Sequence, residues 1–464
     1  MKKNKAIQSG MWFTVSNFLM RGMGLITTPI FTRLMTKAEF GEFNNFQTWT
    51  MILLYITSLD LEGSLIRACH EFRDDLNRYV HSMIALSILS TGIFWIGFTV
   101  FSAQASKLLS IDAPYIHCMF FYLLFCPAVN IFQSAERFKY NYKWTVASSM
   151  VISVGASLLS VILVLGLENK LQGRILGFVV PTAIVGFAIA VYYAFRSGGI
   201  RIRYWKYALP ITLPYIPHLL SMYLLSNMDR VMIRRYCGSE DLALYSLAYT
   251  CGMVITVLLT SINSAYSPWL AEKLQNRDYD AVRRVSVPYV LLFSAFAVGV
   301  VLVTPELLLL LGGQSYMQAK YVMPPVAAGC LLQYVYCMYV NIEQYEKKTV
   351  GMAFASITAA LVNYVLNAAF IRAYGYVAAA YTTYVGYFVL LCMHVIFVRR
   401  MGMAHVYRNR IILGVSISVS IIMFLFSFVL DQDIIRYILL FAYAVLMITM
   451  LWKNRAAIMQ FIRR

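Results

Sequence analysis

Long apolar runs, each about the length that crosses a bilayer, follow one another along the whole chain with only short polar interruptions. They fall at roughly 7–32, 43–66, 80–104, 114–134, 143–167, 174–195, 207–234, 242–268, 286–311, 321–342, 349–371, 375–398, 411–430 and 434–452. This pattern predicts an all-α integral membrane protein of about fourteen transmembrane helices. The second run is the most polar, with Asn44, Asn45, Gln47, Thr48, Thr50, Thr57, Ser58, Asp60 and Glu62, and the alternation of sides still needs it to cross.

The basic residues set an orientation. Lys and Arg concentrate in the head (Lys2, Lys3, Lys5), in 67–78, 137–143, 196–206, 273–284, 347–348 and 399–410, and in the tail from 453. All of these lie on one side if the runs cross alternately. The other side holds only Arg33, Lys37, Lys107, Lys170, Arg174, Arg234, Arg235, Lys320, Arg372 and Arg436, while Arg21 and Arg230 fall within runs. The bias places both termini in the cytoplasm. The net charge of +18 is then mostly topology signal and does not indicate a nucleic-acid partner.

Segment 196–206 is the longest polar interruption and the natural joint between two halves. At an offset of about 202, Arg33, Glu39, Gly41 and Phe43 fall on Arg235, Asp241, Ala243 and Tyr245, and Gly173 and Gly177 fall on Gly375 and Ala379. At about 204, Lys143-Trp-Thr-Val meets Lys347-Lys-Thr-Val. Six spans per half is an even number, so both halves enter from the same side. The expected arrangement is a parallel repeat around a cavity: residues 1–200 as one six-helix lobe, 201–403 as the second, and 404–464 as two additional helices with a basic tail. The tail is short and amphipathic and suits an anionic membrane surface.

Composition narrows the class further. The chain is 60% hydrophobic and only 13% charged, where soluble domains carry about 25% charged residues. The first run is longer than a signal-peptide core, has no small-residue cleavage site after it, and reads as retained. The eight cysteines show no C-x-x-C pair and no Cys/His cluster, so neither a metal site nor a disulfide framework is expected. There is no phosphate-binding G-x-x-x-x-G-K-[ST], no H-E-x-x-H, no nucleophile elbow and no loop much longer than a dozen residues. Neither an enzyme nor a cofactor is therefore expected.

Polar residues inside apolar runs are the functional candidates. Arg21 lies mid-run, where an unsatisfied guanidinium costs on the order of 3–15 kcal/mol. Asn17, Arg21, Gly24 and Thr28 share one helical face, so Arg21 either faces a hydrated interior or snorkels to a neighbour. Prolines at 210, 214 and 217 break the seventh run and free backbone carbonyls beside His218. Asp229 and Arg230 sit near the end of that run, where they either line the path or form an interface charge pair. Thr256, Thr260, Asn263 and Ser267 make one polar stripe and Asn363 and Asn367 another; each is either a lumen face or a helix–helix hydrogen-bonding face. Asp60, Glu62, His218 and Asp229 are the titratable candidates for coupling. Glu306 reads as an interface residue, and Glu343 and Glu346, beside Lys347 and Lys348, as a solvated loop.

Several segments resemble one family. They are Pro29-Ile-Phe-Thr-Arg-Leu-Met-Thr-Lys-Ala-Glu-Phe-Gly-Glu-Phe, Leu59-Asp-Leu-Glu-Gly-Ser-Leu-Ile-Arg-Ala-Cys-His-Glu-Phe, Met228-Asp-Arg-Val-Met-Ile, Thr260-Ser-Ile-Asn-Ser-Ala-Tyr-Ser-Pro-Trp-Leu and Asn363-Tyr-Val-Leu-Asn-Ala-Ala-Phe-Ile-Arg-Ala-Tyr-Gly. Over nearly its whole length the chain resembles the bacterial polysaccharide (O-antigen or capsule) flippases, the Wzx-like branch of the MATE-like (MOP) exporter superfamily. It departs from the family pattern at Gly41-Glu-Phe43, at Ala243-Leu-Tyr245, and at Arg372, where a proline is frequent.

The resemblance implies movement of an undecaprenyl-pyrophosphate-linked oligosaccharide across the bacterial cytoplasmic membrane by alternating access. Polymerase and chain-length regulator proteins would be partners in the same pathway. A lipid pyrophosphate is anionic, and an arginine grips phosphate oxygens bidentately. That suits Arg21 and Arg230 as the cations, with Asn17, Thr28, Asn263, Asn363 and Asn367 facing the sugar. A lipid II flippase, a multidrug antiporter of the same superfamily and a non-transporting scaffold are the rival readings.

Overall fold

In hydrocarbon a chain must satisfy its own backbone, and a helix does so within one segment. The computed structural model describes residues 23–139, 142–346, 348 and 350–453; among them every regular element is helical. In order these are α1 (23–34), α2 (Lys37–Thr57), α3 (Leu65–Glu71), α4 (Leu76–Val100), α5 (Ser102–Leu109), α6 (Ala113–Phe138), α7 (Tyr142–Gly166), α8 (Lys170–Arg196), α9 (Ile202–Thr212), α10 (Ile216–Tyr236), α11 (Ser239–Gln275), α12 (Tyr279–Leu302), α13 (Thr304–Gly312), α14 (Met323–Tyr345), α15 (Val350–Tyr374), α16 (Tyr376–Arg400), α17 (Asn409–Phe426) and α18 (Asp433–Lys453). Among the described residues 11 helices are long and apolar enough to cross a membrane, or 12 if one bent pair counts as a single span. The count of fourteen is not reached. Most of the first predicted span, 7–22, lies outside the described residues, and α18 stands outside the 11.

Local chemistry explains the boundaries. Thr36 starts α2 with a capping box: its Oγ1 accepts from Glu39 N at 3.2 Å, and its own N–H donates to the Glu39 carboxylate at 2.8 Å. Asn169 caps α8 by accepting from Gln172 N at 2.9 Å. The second predicted span is not one straight helix. α2 ends at Thr57, Leu59 and Asp60 take left-handed backbone conformations, and the chain resumes at Leu61 with a 47° bend. The predicted proline break is present. A 3₁₀ turn at Leu213–Tyr215 separates α9 from α10, and Pro214 and Pro217 sit at the starts of the turn and of α10, where a missing N–H costs nothing. The predicted ninth span divides into α12 and α13.

The chain forms two compact units. One comprises residues up to Ser246 together with Ala360–Ala379, and the other Leu247–Ala359 together with the residues from Ala380 onward. The division expected from the repeat, at 200 and 403, concerns sequence duplication and is a separate proposition.

In the first unit α8 packs along α7 and α6, and α10 packs on α2. The α8 contacts are made backbone to backbone. A Cβ on Gly177 would lie 2.3 Å from Ser160 of α7, and one on Gly186 would lie 2.3 Å from the Phe125 carbonyl oxygen of α6. Small residues allow this approach where lipid supplies no hydrophobic drive. The 196–206 segment is tied down on α4. Arg78 Nε donates to Ser197 O at 3.0 Å, Arg201 N to Ser82 Oγ at 3.0 Å and Trp205 Nε1 to Ser82 O at 2.8 Å. Tyr204 donates to Asp75, which also pairs with Arg201 at 3.2 Å. Below this segment Phe72, Tyr79, Tyr204 and Tyr207 pack ring against ring.

In the second unit α14 packs on α12 and α17, and α12 also touches α18. Arg436 of α18, counted among the basic residues of the non-cytoplasmic side, is 2% exposed and bonds to Glu306. That pairing also gives Glu306 a partner, which the interface reading lacks.

Candidate functional site

The polar residues of α10 are held by neighbours in the first unit. Asp229 is 1% exposed; its Oδ1 accepts from Arg230 N at 2.8 Å, and its Oδ2 accepts a hydrogen bond from Tyr245 on the opening turns of α11. The Arg230 guanidinium donates to Asn227 Oδ1 at 2.7 Å, and Asn227 Nδ2 donates to Tyr223 O at 3.1 Å. Tyr223 lies against Tyr55 of α2 with ring centroids 5.6 Å apart. α10 thus carries a carboxylate, a guanidinium, an amide and phenols within four turns. The carboxylate is an acceptor, and the amide and guanidinium beside it are the hydrogen-bond donors of this stretch. His218 sits half-buried at the start of α10, its ring 5.4 Å from that of Tyr215.

At the far end of α10, Arg234 pairs with Glu42 of α2 at 2.6 Å. The two line a cavity of about 170 Å³ together with Phe46, Ser110, Asp112 and Tyr115. Tyr115 also accepts a hydrogen bond from Asn169 at 3.1 Å. Arg174 of α8 stacks over Phe31 of α1, with its guanidinium carbon 3.6 Å from the ring centroid. Desolvated cation–π contacts of this kind are worth about 2 kcal/mol.

The remaining sequence candidates divide by circumstance. Arg21 and Asn17 lie outside the described residues. Thr28 is buried and its hydroxyl donates to Gly24 O of its own helix at 2.7 Å. Asp60 is buried in the left-handed break and receives no side-chain cap bond, and Glu62 follows it in the short 3₁₀ turn. Asn363 and Asn367 are both buried, with Asn367 Nδ2 donating to Asn363 Oδ1 at 3.0 Å. Asn263 accepts from Asn341 of α14 at 2.9 Å, which is the helix–helix alternative for that stripe. The structure therefore brings Asp229 and Arg230 together with Asn227, Tyr223 and Tyr245, and pairs Asn363 with Asn367.

Sequence reasoning missed several partners. Tyr245 was available as the repeat counterpart of Phe43, but its hydroxyl target was not. Glu343 is not in a solvated loop: it lies within α14, is 1% exposed, and meets His394 of α16. Among the described residues no three His, Cys, Asp or Glu side chains converge to hold a metal ion.

Comparison with known proteins places this geometry. The profile described as "Polysaccharide biosynthesis protein" matches residues 6–274, and the profile described as "MatE" matches residues 214–369. "Lsg locus putative protein 1" of Haemophilus influenzae is 21% identical over 290 residues, which cover 59% of this chain and 68% of that protein. An "Uncharacterized membrane protein" of the same organism is 20% identical over 351 residues, covering 72% of this chain and 82% of that one. Among solved structures, the lipid II flippase MurJ in an inward closed conformation matches with a TM-score of 0.72 at 14% identity, covering 97% of this chain and 100% of that one. An inward-facing multidrug resistance MATE family transporter of the MOP superfamily matches with a TM-score of 0.59 at 13% identity, covering 83% and 94%. Resemblances at such identities establish the fold, that of an all-α membrane transporter. With more than half of its length matched by the first profile, this multi-pass chain belongs to the polysaccharide biosynthesis protein family.

Proposed function

We propose that the protein moves undecaprenyl-pyrophosphate-linked oligosaccharide repeat units from the inner to the outer leaflet of the bacterial cytoplasmic membrane, for assembly of a surface polysaccharide. The observation that carries this reading is the family match across residues 6–274, the stretch that holds Arg21, Asp229 and Arg230. An anionic pyrophosphate needs cations in a poorly hydrated path, where Coulomb attraction is many times its value in bulk water. Arg21 and Arg230 fill that role in this reading. Asn17, Thr28, Asn263, Asn363 and Asn367 face the sugar at some stage of the cycle, and Asp60, Glu62, His218 and Asp229 respond to a coupling ion. The protein performs no covalent chemistry. Both termini are cytoplasmic, residues 1–200 and 201–403 rock as lobes with 404–464 appended, and a polymerase and a chain-length regulator receive the product.

Deleting the gene tests the reading. Surface polysaccharide is lost, and the lipid-linked repeat unit accumulates inside the cell. Normal surface glycan would sink the reading. Arg21→Ala, expressed at the wild-type level, abolishes flipping, while Arg21→Lys retains part of it; full activity in both variants removes Arg21 from the anion site.

The MatE profile over 214–369 favours a second reading, a multidrug antiporter. It predicts altered drug sensitivity with unchanged glycan. A lipid II flippase, supported by the fold likeness, predicts a defect in cell-wall synthesis instead.

A further inference from the structure

The cavity of about 170 Å³ at the far end of α10 is not used by the transport reading, and every residue that lines it belongs to the first unit. Glu42 and Phe46 are four residues apart on α2, so they share the helical face that borders it. Arg234 enters from α10, and Tyr115 and Leu171 enter from the first turns of α6 and α8. The turn between α5 and α6 supplies Ser110, Ile111 and Asp112.

That turn is fixed by the protein itself. Ser110 takes a left-handed backbone conformation, with φ 53°, which residues other than glycine rarely adopt. Asn45 of α2, 1% exposed, donates from Nδ2 to Leu109 O at 3.0 Å and to Ser110 O at 3.2 Å. Asn169 holds Tyr115: its Oδ1 caps α8, and its Nδ2 donates to the Tyr115 hydroxyl at 3.1 Å. That hydroxyl accepts from the protein and keeps its own proton to donate.

Hydrogen-bonding capacity is left over around the cavity. Arg234 gives one terminal nitrogen to Glu42 at 2.6 Å, while its buried Nε has no hydrogen-bond partner among the described residues. Asp112 is exposed and its side chain makes no cap bond at the start of α6, so its carboxylate is an available acceptor.

The lining discriminates by charge. Two carboxylates, Glu42 and Asp112, face one guanidinium, so a phosphate or a carboxylate ligand meets net repulsion. A metal ion would have to displace Arg234 from Glu42, and among the described residues no three His, Cys, Asp or Glu side chains converge to hold one. An uncharged polyol suits both signs. Each hydroxyl can donate to a carboxylate, which only accepts, and can accept from a guanidinium, which only donates. Phe46, Ile111 and Leu171 offer apolar surface to the C–H face of a ring. Apolar walls with a few convergent polar groups are the usual make-up of a small-molecule pocket.

We propose that this cavity binds a single uncharged sugar ring, held by Glu42, Asp112, Tyr115 and Arg234, and that it selects among repeat units by one sugar. The selection step rests on the flippase reading above; the binding site does not.

Two measurements on the full-length protein test it. In lipid nanodiscs, which avoid competition from sugar-headed detergents, saturation-transfer NMR is recorded with the methyl glycosides of glucose, galactose and mannose. At least one of them gives a signal in wild type, and neither inorganic phosphate nor ethanolamine displaces it. Asp112→Ala and Tyr115→Phe each weaken binding about five-fold or more. Asp112 is exposed and Tyr115→Phe keeps the ring, so both variants fold, which thermal unfolding checks. No signal from any of the three glycosides overturns the site, as does a signal that either variant leaves unchanged. Displacement by phosphate or ethanolamine overturns its preference for an uncharged ligand. In proteoliposomes holding two lipid-linked glycans that differ in one sugar, wild type flips one faster, and both variants flip the two at equal rates. A wild-type preference retained in both variants overturns the selection role. If wild type flips neither glycan, the flippase reading fails, and the NMR signal alone decides the site.

Discussion

Arg436 holds Glu306 by both carboxylate oxygens, each 2.7 Å from one guanidinium nitrogen, while it also reaches Leu302 O at 3.2 Å and Asp433 at 3.1 Å. A single 2%-exposed side chain thereby ties α18 to the junction of α12 and α13. Tyr437, the next residue, donates to the same carboxylate at 2.8 Å. Charge-assisted hydrogen bonds of this kind contribute about 1.5–3 kcal/mol. Arg436→Ala is expected to lower stability by about that amount and to expose the α17–α18 segment to protease in detergent. Glu306→Gln, which keeps an acceptor, does less. Equal unfolding curves for Arg436→Ala and wild type would contradict the assignment.

Tyr245 is the donor that lets Asp229 remain in a dry position. Tyr245→Phe removes the hydroxyl and keeps the ring, so the packing survives and the hydrogen bond does not. The expected loss is about 1–3 kcal/mol, read by chemical or thermal unfolding. Wild-type stability in Tyr245→Phe would show that the bond is not needed.

The Asp431 carboxylate, outside the spans, is held below the ordinary aspartate range by its hydrogen bonds from Lys320 and Tyr321, each at 2.5 Å. A depressed carboxyl pKa stabilises the folded state above the unfolded value, near about 3.9, and that contribution disappears as pH falls through the folded pKa. Unfolding followed at decreasing pH should show wild type losing stability below about pH 4, with Asp431→Asn losing less over the same interval. Parallel pH profiles would refute the linkage.

The tie between 196–206 and α4 predicts a protease phenotype. Arg78→Ala or Trp205→Ala removes a donor to Ser197 or Ser82. Tryptic cleavage after Arg201 should accelerate several-fold relative to wild type in native membranes. Cleavage at the wild-type rate would mean that the segment is held by something other than these bonds.

The helices themselves were legible because hydropathy sums over about twenty residues and tolerates individual exceptions. The proline-marked break before His218 was legible for a chemical reason, since proline cannot donate. The break at Leu59 and Asp60 was not, because no residue there forbids a helix. The paired polar residues were the least legible. Glu343 reads as a loop residue because two lysines follow it, and His394 carries no signal that marks it out. Only the meeting of α14 and α16 brings the Glu343 and His394 side chains to 2.7 Å. The partner of Arg436 was equally hidden, Glu306 lying 130 residues away. For Asp60, Glu62 and His218, the sequence names the residue type and the structure gives the backbone setting: a left-handed kink for Asp60 and the first turn of a restarted helix for His218.

The absent side chains at Gly177 and Gly186 have a practical consequence. Where two main chains touch, their spacing is fixed by atoms that have no rotamers to exchange, so α6, α7 and α8 form a ruler of constant length. Spectroscopic labels placed on α6 and α8 should report one unchanging separation through every stage of a transport cycle. Distances measured elsewhere in the protein can be calibrated against that pair.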